Sequence, residues 1–301
     1  MTFFTRDGVR LGYDVIGDGP LVLLVMGTGS PGRVWHLHQV PALVAAGYRV
    51  ATLDNRGVAP SDECGSGFTM ADMVGDVAAL IELLGAPARL VGTSLGARIV
   101  AETALARPDL AVQAVMLAAH GRPDPLQERL TAGRRELHDR GIELPPGFAA
   151  AVAAQQNLSR RTLADRAAVT DWLEIFEFAA AQTGPGVRAQ LDLADSDRLA
   201  DYRRITVPSL VVGFADDLML PPYLAREVAD AIPAARYVEL ADCGHYGYLE
   251  RPDAVNELVL EFFTTVRAPA RACPPGHCPP PPHVPGDVQQ ATSTQRSLEP
   301  G

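Results

Sequence analysis

Apolar positions along the chain follow two alternating patterns. Short runs, continuous or repeating at every second residue, mark strands. Longer stretches with apolar residues three and four apart mark helices. Residues 2–5 and 9–16 read as two strands joined by Asp7-Gly8, a hairpin dipeptide. Residues 21–26 are an unbroken apolar run, the kind of strand buried on both faces of a parallel sheet. Segments 49–53, 88–91, 112–118, 207–214 and 236–240 continue the strand series. Helices are predicted over 34–45, 70–84, 97–106, 223–231 and 252–266, with Thr69 as an N-cap and Gly47 and Gly85 as stops. A hairpin followed by alternating strands and helices predicts an α/β fold. Its sheet would be mostly parallel and eight-stranded, with helices on both faces.

The alternation stops between residues 122 and 204. Segments 125–140, 146–157, 163–182 and 187–193 all read as helical, which predicts a helical cap (122–204) inserted into a core made of 1–121 and 205–266. The third cap helix places Trp172, Phe176 and Ala180 at successive steps of four, so they share one face. Most such stripes are core packing. A cap face over the core would also make Trp172 and Phe176 substrate-binding, as a pocket wall. Beyond Arg267 the chain is dominated by Pro, Gly, Ser, Thr and Gln, so 267–301 is expected to be a disordered, Pro-rich tail.

Charge narrows the function classes. The net charge is −10 and every basic residue is Arg. A chain with no basic block repels polyanions, so no nucleic-acid partner is expected. The absence of Lys excludes Schiff-base and P-loop lysine chemistry. No signal peptide is evident, and the run 21–26 is too short to span a bilayer. The expectation is a soluble, cytoplasmic protein with no membrane partner and a small molecule as substrate. Cys64 and Cys243 are isolated, as suits a reducing compartment. Cys273 and Cys278 flank His277 in the tail, too few ligands for a metal site, and no metal or organic cofactor is expected.

The candidate chemistry centres on Gly92-Thr93-Ser94-Leu95-Gly96, which lies between a predicted strand and a predicted helix. That is the context of a nucleophile elbow, where a tight turn presents a serine at the sheet edge and leaves no room for side chains two positions away. A serine hydroxyl needs a base to take its proton. His245, in Asp242-Cys243-Gly244-His245-Tyr246-Gly247, sits between the last strand and the last helix, at the same sheet edge. The base needs an acid, and Asp216 and Asp217 follow the strand 207–214. Asp217 is preferred for its distance to the proline that opens the next helix, with Asp216 and Asp124 as alternatives. Backbone N–H groups of Leu95 and Thr28 are the expected oxyanion donors.

These motifs together resemble the α/β-hydrolase fold superfamily. The chain carries Gly92-Thr93-Ser94-Leu95-Gly96, then Asp217, then His245. It also has the Gly27-Thr28-Gly29 loop and the turn Asp54-Asn55-Arg56-Gly57-Val58-Ala59-Pro60-Ser61, all within roughly residues 2–266. The resemblance is nearest to capped esterases, C–C bond hydrolases and cofactor-free haloperoxidases. It implies a serine hydrolase acting on an ester, thioester, lactone or similar acyl bond of a small, bulky, apolar molecule. Two alternatives accompany it. One is a non-hydrolytic tailoring enzyme of natural-product biosynthesis (cyclisation, elimination or C–C bond formation) using the same site. The other is a small-molecule receptor on the same fold. Three positions depart from the family pattern. Met26 stands where many members have His, Ala59 replaces a usual Gly, and Ser94 stands where epoxide hydrolases and dehalogenases carry Asp.

Overall fold

The computed structural model describes residues 1–65, 67–85, 87–180, 184–193 and 196–265, without the side chain of Ala180. The Pro-rich segment, with Cys273, His277 and Cys278, lies outside them. Eight strands are present among these residues: β1 (Thr2–Arg6), β2 (Val9–Ile16), β3 (Leu21–Val25), β4 (Arg49–Leu53), β5 (Ala88–Thr93), β6 (Ala111–Leu117), β7 (Ser209–Phe214) and β8 (Arg236–Leu240). They form one sheet in the order β1-β2-β4-β3-β5-β6-β7-β8. The hairpin β1–β2 and the β2–β4 pair are antiparallel; every other pairing is parallel.

Successive side chains of a strand point to opposite faces, and β3 shows the consequence. Leu21, Leu23 and Val25 join one core while Val22 and Leu24 join the other. The first core is closed by α2 (Met70–Leu84) and α3 (Leu95–Ala106), the second by α1 (Gln39–Ala45). All five β3 side chains are buried, each worth about 1.5–3 kcal/mol of transfer free energy. Thr69 caps α2 by accepting the N–H of Asp72 while Asp72 accepts that of Thr69, and Gly85 ends the helix in the left-handed region.

Between β6 and β7 the described residues contribute only helices: α4 (Pro125–Asp139), α5 (Pro146–Asn157), α6 (Arg160–Ala164), α7 (Arg166–Ala180), α8 (Pro185–Gln190) and α9 (Leu199–Tyr202). Ala150, Ala154 and Leu158 of this insertion pack on Phe176 as a small third core. The insertion and the sheet belong to one compact unit. After β7 come α10 (Pro222–Ala231), α11 (Gly247–Glu250) and α12 (Pro252–Thr265). The faces of α10 and α12 complete the first and second cores.

Two expected helices are interrupted. In place of 34–45 there is a 3-10 turn, Gly32–Leu37, and then α1, with His38 between them out of helical conformation. Pro41 explains the break, because its ring has no N–H and would strike the carbonyl four residues earlier in a continuous helix. In place of 163–182 stand α6 and α7. Asp165 leaves the helix and accepts the N–H groups of Ala167 and Ala168 at 3.0 and 3.2 Å, so it caps the second segment instead of continuing the first.

Candidate active site

In this parallel sheet the turns after β3, β5, β6, β7 and β8 all open on one edge. At the centre, β5 runs into α3 through Ser94, whose φ of 56° and ψ of −119° are costly for a residue with a side chain. The turn is closed by the Ser94 N–H donating to the Leu117 carbonyl at 3.0 Å. Its tightness requires both flanking glycines. A Cβ on Gly92 would collide with the Gly96 carbonyl, and one on Gly96 with the Val25 carbonyl, both rigid backbone.

His245 follows β8, and its Nδ1 lies 2.7 Å from Oδ2 of Asp217. Asp217, 2% exposed, is held from its other side. Its Oδ1 accepts the N–H groups of Met219 and Leu220, each at 2.8 Å. The neighbouring carboxylate goes elsewhere: Asp216 accepts from Arg160 Nη2 at 2.9 Å, Nε at 3.1 Å and N at 3.2 Å. Asp124 caps α4 and accepts the Tyr223 hydroxyl. Of the three candidate acids, Asp217 alone pairs with the imidazole.

The loop after β3 is fixed from below and from above. Asn55 Nδ2 donates to the Met26 carbonyl at 2.9 Å, and Asp54 Oδ1 accepts the Gly32 N–H at 2.7 Å. The turn carrying Asp54 is tied in turn by Ser61, whose Oγ donates to the Asp54 carbonyl at 2.6 Å and accepts from Gly12 N–H at 2.8 Å. Arg56 forms a buried two-pronged pair with Asp76, both contacts at 2.6 Å. From above, Gln190 of α8 accepts the Gly29 N–H at 2.8 Å. Among the described residues, the N–H groups of Thr28 and Leu95 donate to no protein acceptor. The N–H of Leu95 is the first of a helix, where no intrahelical acceptor exists.

Ser94 and His245 both line a cavity of about 290 Å³, as do Thr28 and Met26. The insertion supplies its roof, with Gln127, Thr131 and Arg134 from α4, Asn157 from α5 and Phe176 from α7. A second cavity of about 340 Å³ meets the first at Thr28 and Ser94 and extends past Leu95 and His120. The two expected aromatic wall residues separate here. Phe176 lines the first cavity and Trp172 does not. One helical turn away, Trp172 stacks behind Phe176 at 5.6 Å and 28°, and tilts against Tyr246 at 6.1 Å, so it supports the wall without forming it.

Several site residues lack any motif. Gln190 and Arg134 are ordinary members of polar helices. His120 is different: it follows β6 at the same sheet edge, just as His245 follows β8. It is 3% exposed, and neither ring nitrogen has a hydrogen-bond partner among the described residues. Burial first, then the charge of Arg98, push its pKa down to about 3, which keeps the ring neutral. Burial also pushes the Cys243 thiol up to about 12, which makes it unreactive. Among the described residues there is no group of three His, Cys, Asp or Glu side chains able to hold a metal ion. Nor, among those residues, is any helix long and apolar enough to cross a membrane.

Comparison with known proteins identifies the family and the fold. Residues 21–258 match the model of the alpha/beta hydrolase family. Over 262 residues the chain is 48% identical to a protein of Mycobacterium tuberculosis (strain ATCC 25618 / H37Rv) named “Putative non-heme bromoperoxidase BpoC”, covering 86% of this chain and 100% of that one. Among solved structures, the enol-lactonase from Burkholderia xenovorans LB400 superposes with a TM-score of 0.75 at 26% identity, covering 87% of this chain and 100% of that chain. A thermophilic esterase from Thermogutta terrifontis gives a TM-score of 0.72 at 25% identity, covering 87% and 96%.

Proposed function

Since the chain belongs to the alpha/beta hydrolase family and is an enzyme of that fold, we propose that it is a serine hydrolase cleaving an ester, lactone or similar acyl bond of a small molecule. The observation that carries this reading is the 2.7 Å pairing of His245 Nδ1 with Asp217, at a cavity that also receives Ser94. With Nδ1–H donated to Asp217, the ring's Nε2 is left as the acceptor. Ser94 Oγ attacks the acyl carbon as Nε2 takes its proton. The resulting oxyanion lies between the N–H groups of Thr28 and Leu95. The imidazolium, stabilised by Asp217, then gives its proton to the leaving oxygen, and water releases the acyl group by the reverse sequence.

The 48% identical relative supports a second reading of the same site. Hydrogen peroxide in place of water would attack the acyl-enzyme and release a peroxy acid, which converts bromide and a proton to hypobromous acid and the free acid. Both readings need an acyl-enzyme on Ser94, so one experiment tests them jointly. A fluorophosphonate should add one phosphonyl group, seen by intact mass and mapped to Ser94, and Ser94→Ala should abolish the adduct. An unlabelled wild-type protein would remove both readings. Supplying peroxide with a short carboxylate ester and bromide, and monitoring bromination of a dye, then separates them.

A further inference from the structure

Among the described residues, Arg134 is the single charged side chain in the wall of the 290 Å³ cavity, and no carboxylate lines that cavity with it. Arginine–carboxylate pairing is the habit of this molecule: Arg122 with Glu227, Arg188 with Asp139 and Arg198 with Glu102, each within 2.9 Å. Arg134 has no such partner among the described residues. Its Nη2 donates to Gln156 Oε1 at 2.8 Å and approaches Met219 Sδ at 3.8 Å, both neutral. Its Nε and Nη1 make no hydrogen bond within the described structure. Desolvation lowers its proton affinity, opposed only by the Tyr246 phenol. A half-buried guanidinium in a cavity wall, held by neutral groups and with donors unused, is an unpaid desolvation cost unless a ligand anion meets it.

We propose that Arg134 is a specificity-determining residue that anchors a carboxylate of the substrate, so that the preferred ester or lactone is a monoanion whose charge lies away from the scissile bond. This rests on the hydrolase reading for the position of the reacting carbonyl. A guanidinium suits the role because its planar fork matches a carboxylate with two parallel hydrogen bonds. Gln127, Thr131 and Asn157 on the same roof are neutral polar groups able to complete the shell of a carboxylate without competing for the cation. The expectation of a wholly apolar substrate is thereby narrowed. Phe176 and Tyr246 still offer an apolar wall, and the end of the molecule that meets α4 carries charge.

The test uses a matched pair in which a methyl group is exchanged for a carboxylate, 4-nitrophenyl valerate and mono-4-nitrophenyl glutarate. Wild-type kcat/KM should favour the glutarate ester. Arg134→Gln should lower its kcat/KM about 10- to 100-fold while changing the valerate ester less than about threefold. Arg134→Lys, which keeps the charge and loses the fork, should fall between. Equal losses on both esters, or an unchanged glutarate rate, overturn the proposal. A binding arm stands apart from turnover: in Ser94→Ala protein, monomethyl glutarate should give a calorimetric signal that methyl valerate does not and that Arg134→Gln removes. No signal, or one that survives Arg134→Gln, also overturns it. Fluorophosphonate labelling of Ser94 without preference for the monoanion would leave the hydrolase reading standing and remove the anchor. Monoanion binding lost in Arg134→Gln, with Ser94 unlabelled, would do the reverse.

Discussion

Gln190 accepts the backbone N–H of Gly29 at 2.8 Å, and its own amide reaches the carbonyl of Arg56 at 2.9 Å. One side chain of the helical insertion thus clamps the loop after β3 to the turn after β4. At 2% exposure it has little freedom to do anything else. The loop it clamps carries Thr28, so the insertion that roofs the cavity also sets the position of the proposed oxyanion donor.

Gln190→Ala should therefore act through that donor. The rate constant kcat should fall about 10- to 100-fold, somewhat less than the loss of an oxyanion donor itself, with KM changed little. Gln190→Glu keeps the acceptor for Gly29 and should recover part of the loss. A change confined to KM would mean that Gln190 shapes the pocket and does not position the loop.

Adjacent carboxylates with different partners give a second prediction. Asp217→Asn should keep the geometry but favour the wrong imidazole tautomer, lowering kcat by up to about 10⁴. Asp216→Asn loosens a bond to Arg160, an exposed side chain, and such surface pairs are worth about 0–1 kcal/mol. Its kcat should stay within a fewfold of wild type. Steady-state rates of the two variants on one ester decide the matter, and the reverse order would assign the acid to Asp216.

The fold was legible because its signals are local and repeated. The run 21–26 can only be a strand with both faces covered, and Gly92 and Gly96 leave room for a turn that a side chain would fill. His245 and Asp217 were legible because a parallel sheet sends every strand's C-terminal end to one edge. Their mutual distance was not, since it depends on how Asp217 is fixed by the N–H groups of Met219 and Leu220. Trp172 and Phe176 shared a helical face in the sequence, yet one turn of helix separates lining the cavity from backing it. Gln190 and Arg134 had no signal. Their proposed roles rest on a contact spanning 161 residues in one case and, in the other, on the lack of a counter-ion among the described residues. His120 had one: its place just after β6.

The elbow itself makes a stability prediction. Ser94→Ala removes a half-buried hydroxyl that has no hydrogen-bond partner among the described residues, and should leave the melting temperature nearly unchanged while turnover vanishes. Gly96→Ala places a methyl against the Val25 carbonyl, which neither β3 nor α3 can vacate without unpairing the sheet. Its cost should exceed the roughly 1–3 kcal/mol of ordinary overpacking. Thermal unfolding of both variants checks this, and a Gly96→Ala protein as stable as Ser94→Ala would mean the turn has slack that its backbone contacts deny.

His120 carries the last prediction, on pH. Its ring is buried beside Arg98, which donates to the His120 carbonyl at 3.4 Å, and it titrates only near pH 3 in the folded protein. In the unfolded chain a histidine titrates near 6.5. Between those two values the unfolded state binds a proton that the native state refuses, so this group makes folding less stable as pH falls below about 6.5 and contributes nothing above it. The slope approaches about 1.4 kcal/mol per pH unit once the unfolded imidazole is fully charged. Burial acts in the opposite sense on Asp54 and Asp76, whose carboxyls it raises, so the wild-type curve alone does not isolate the histidine. The difference between wild type and His120→Gln does. Urea unfolding at pH 7.5 and pH 5.0 should show wild type losing about 1–2 kcal/mol more than the variant over that span. Parallel losses in the two proteins would mean that His120 accepts a proton in the folded state, and that the neutral ring beside Ser94 is not part of the native molecule at acid pH.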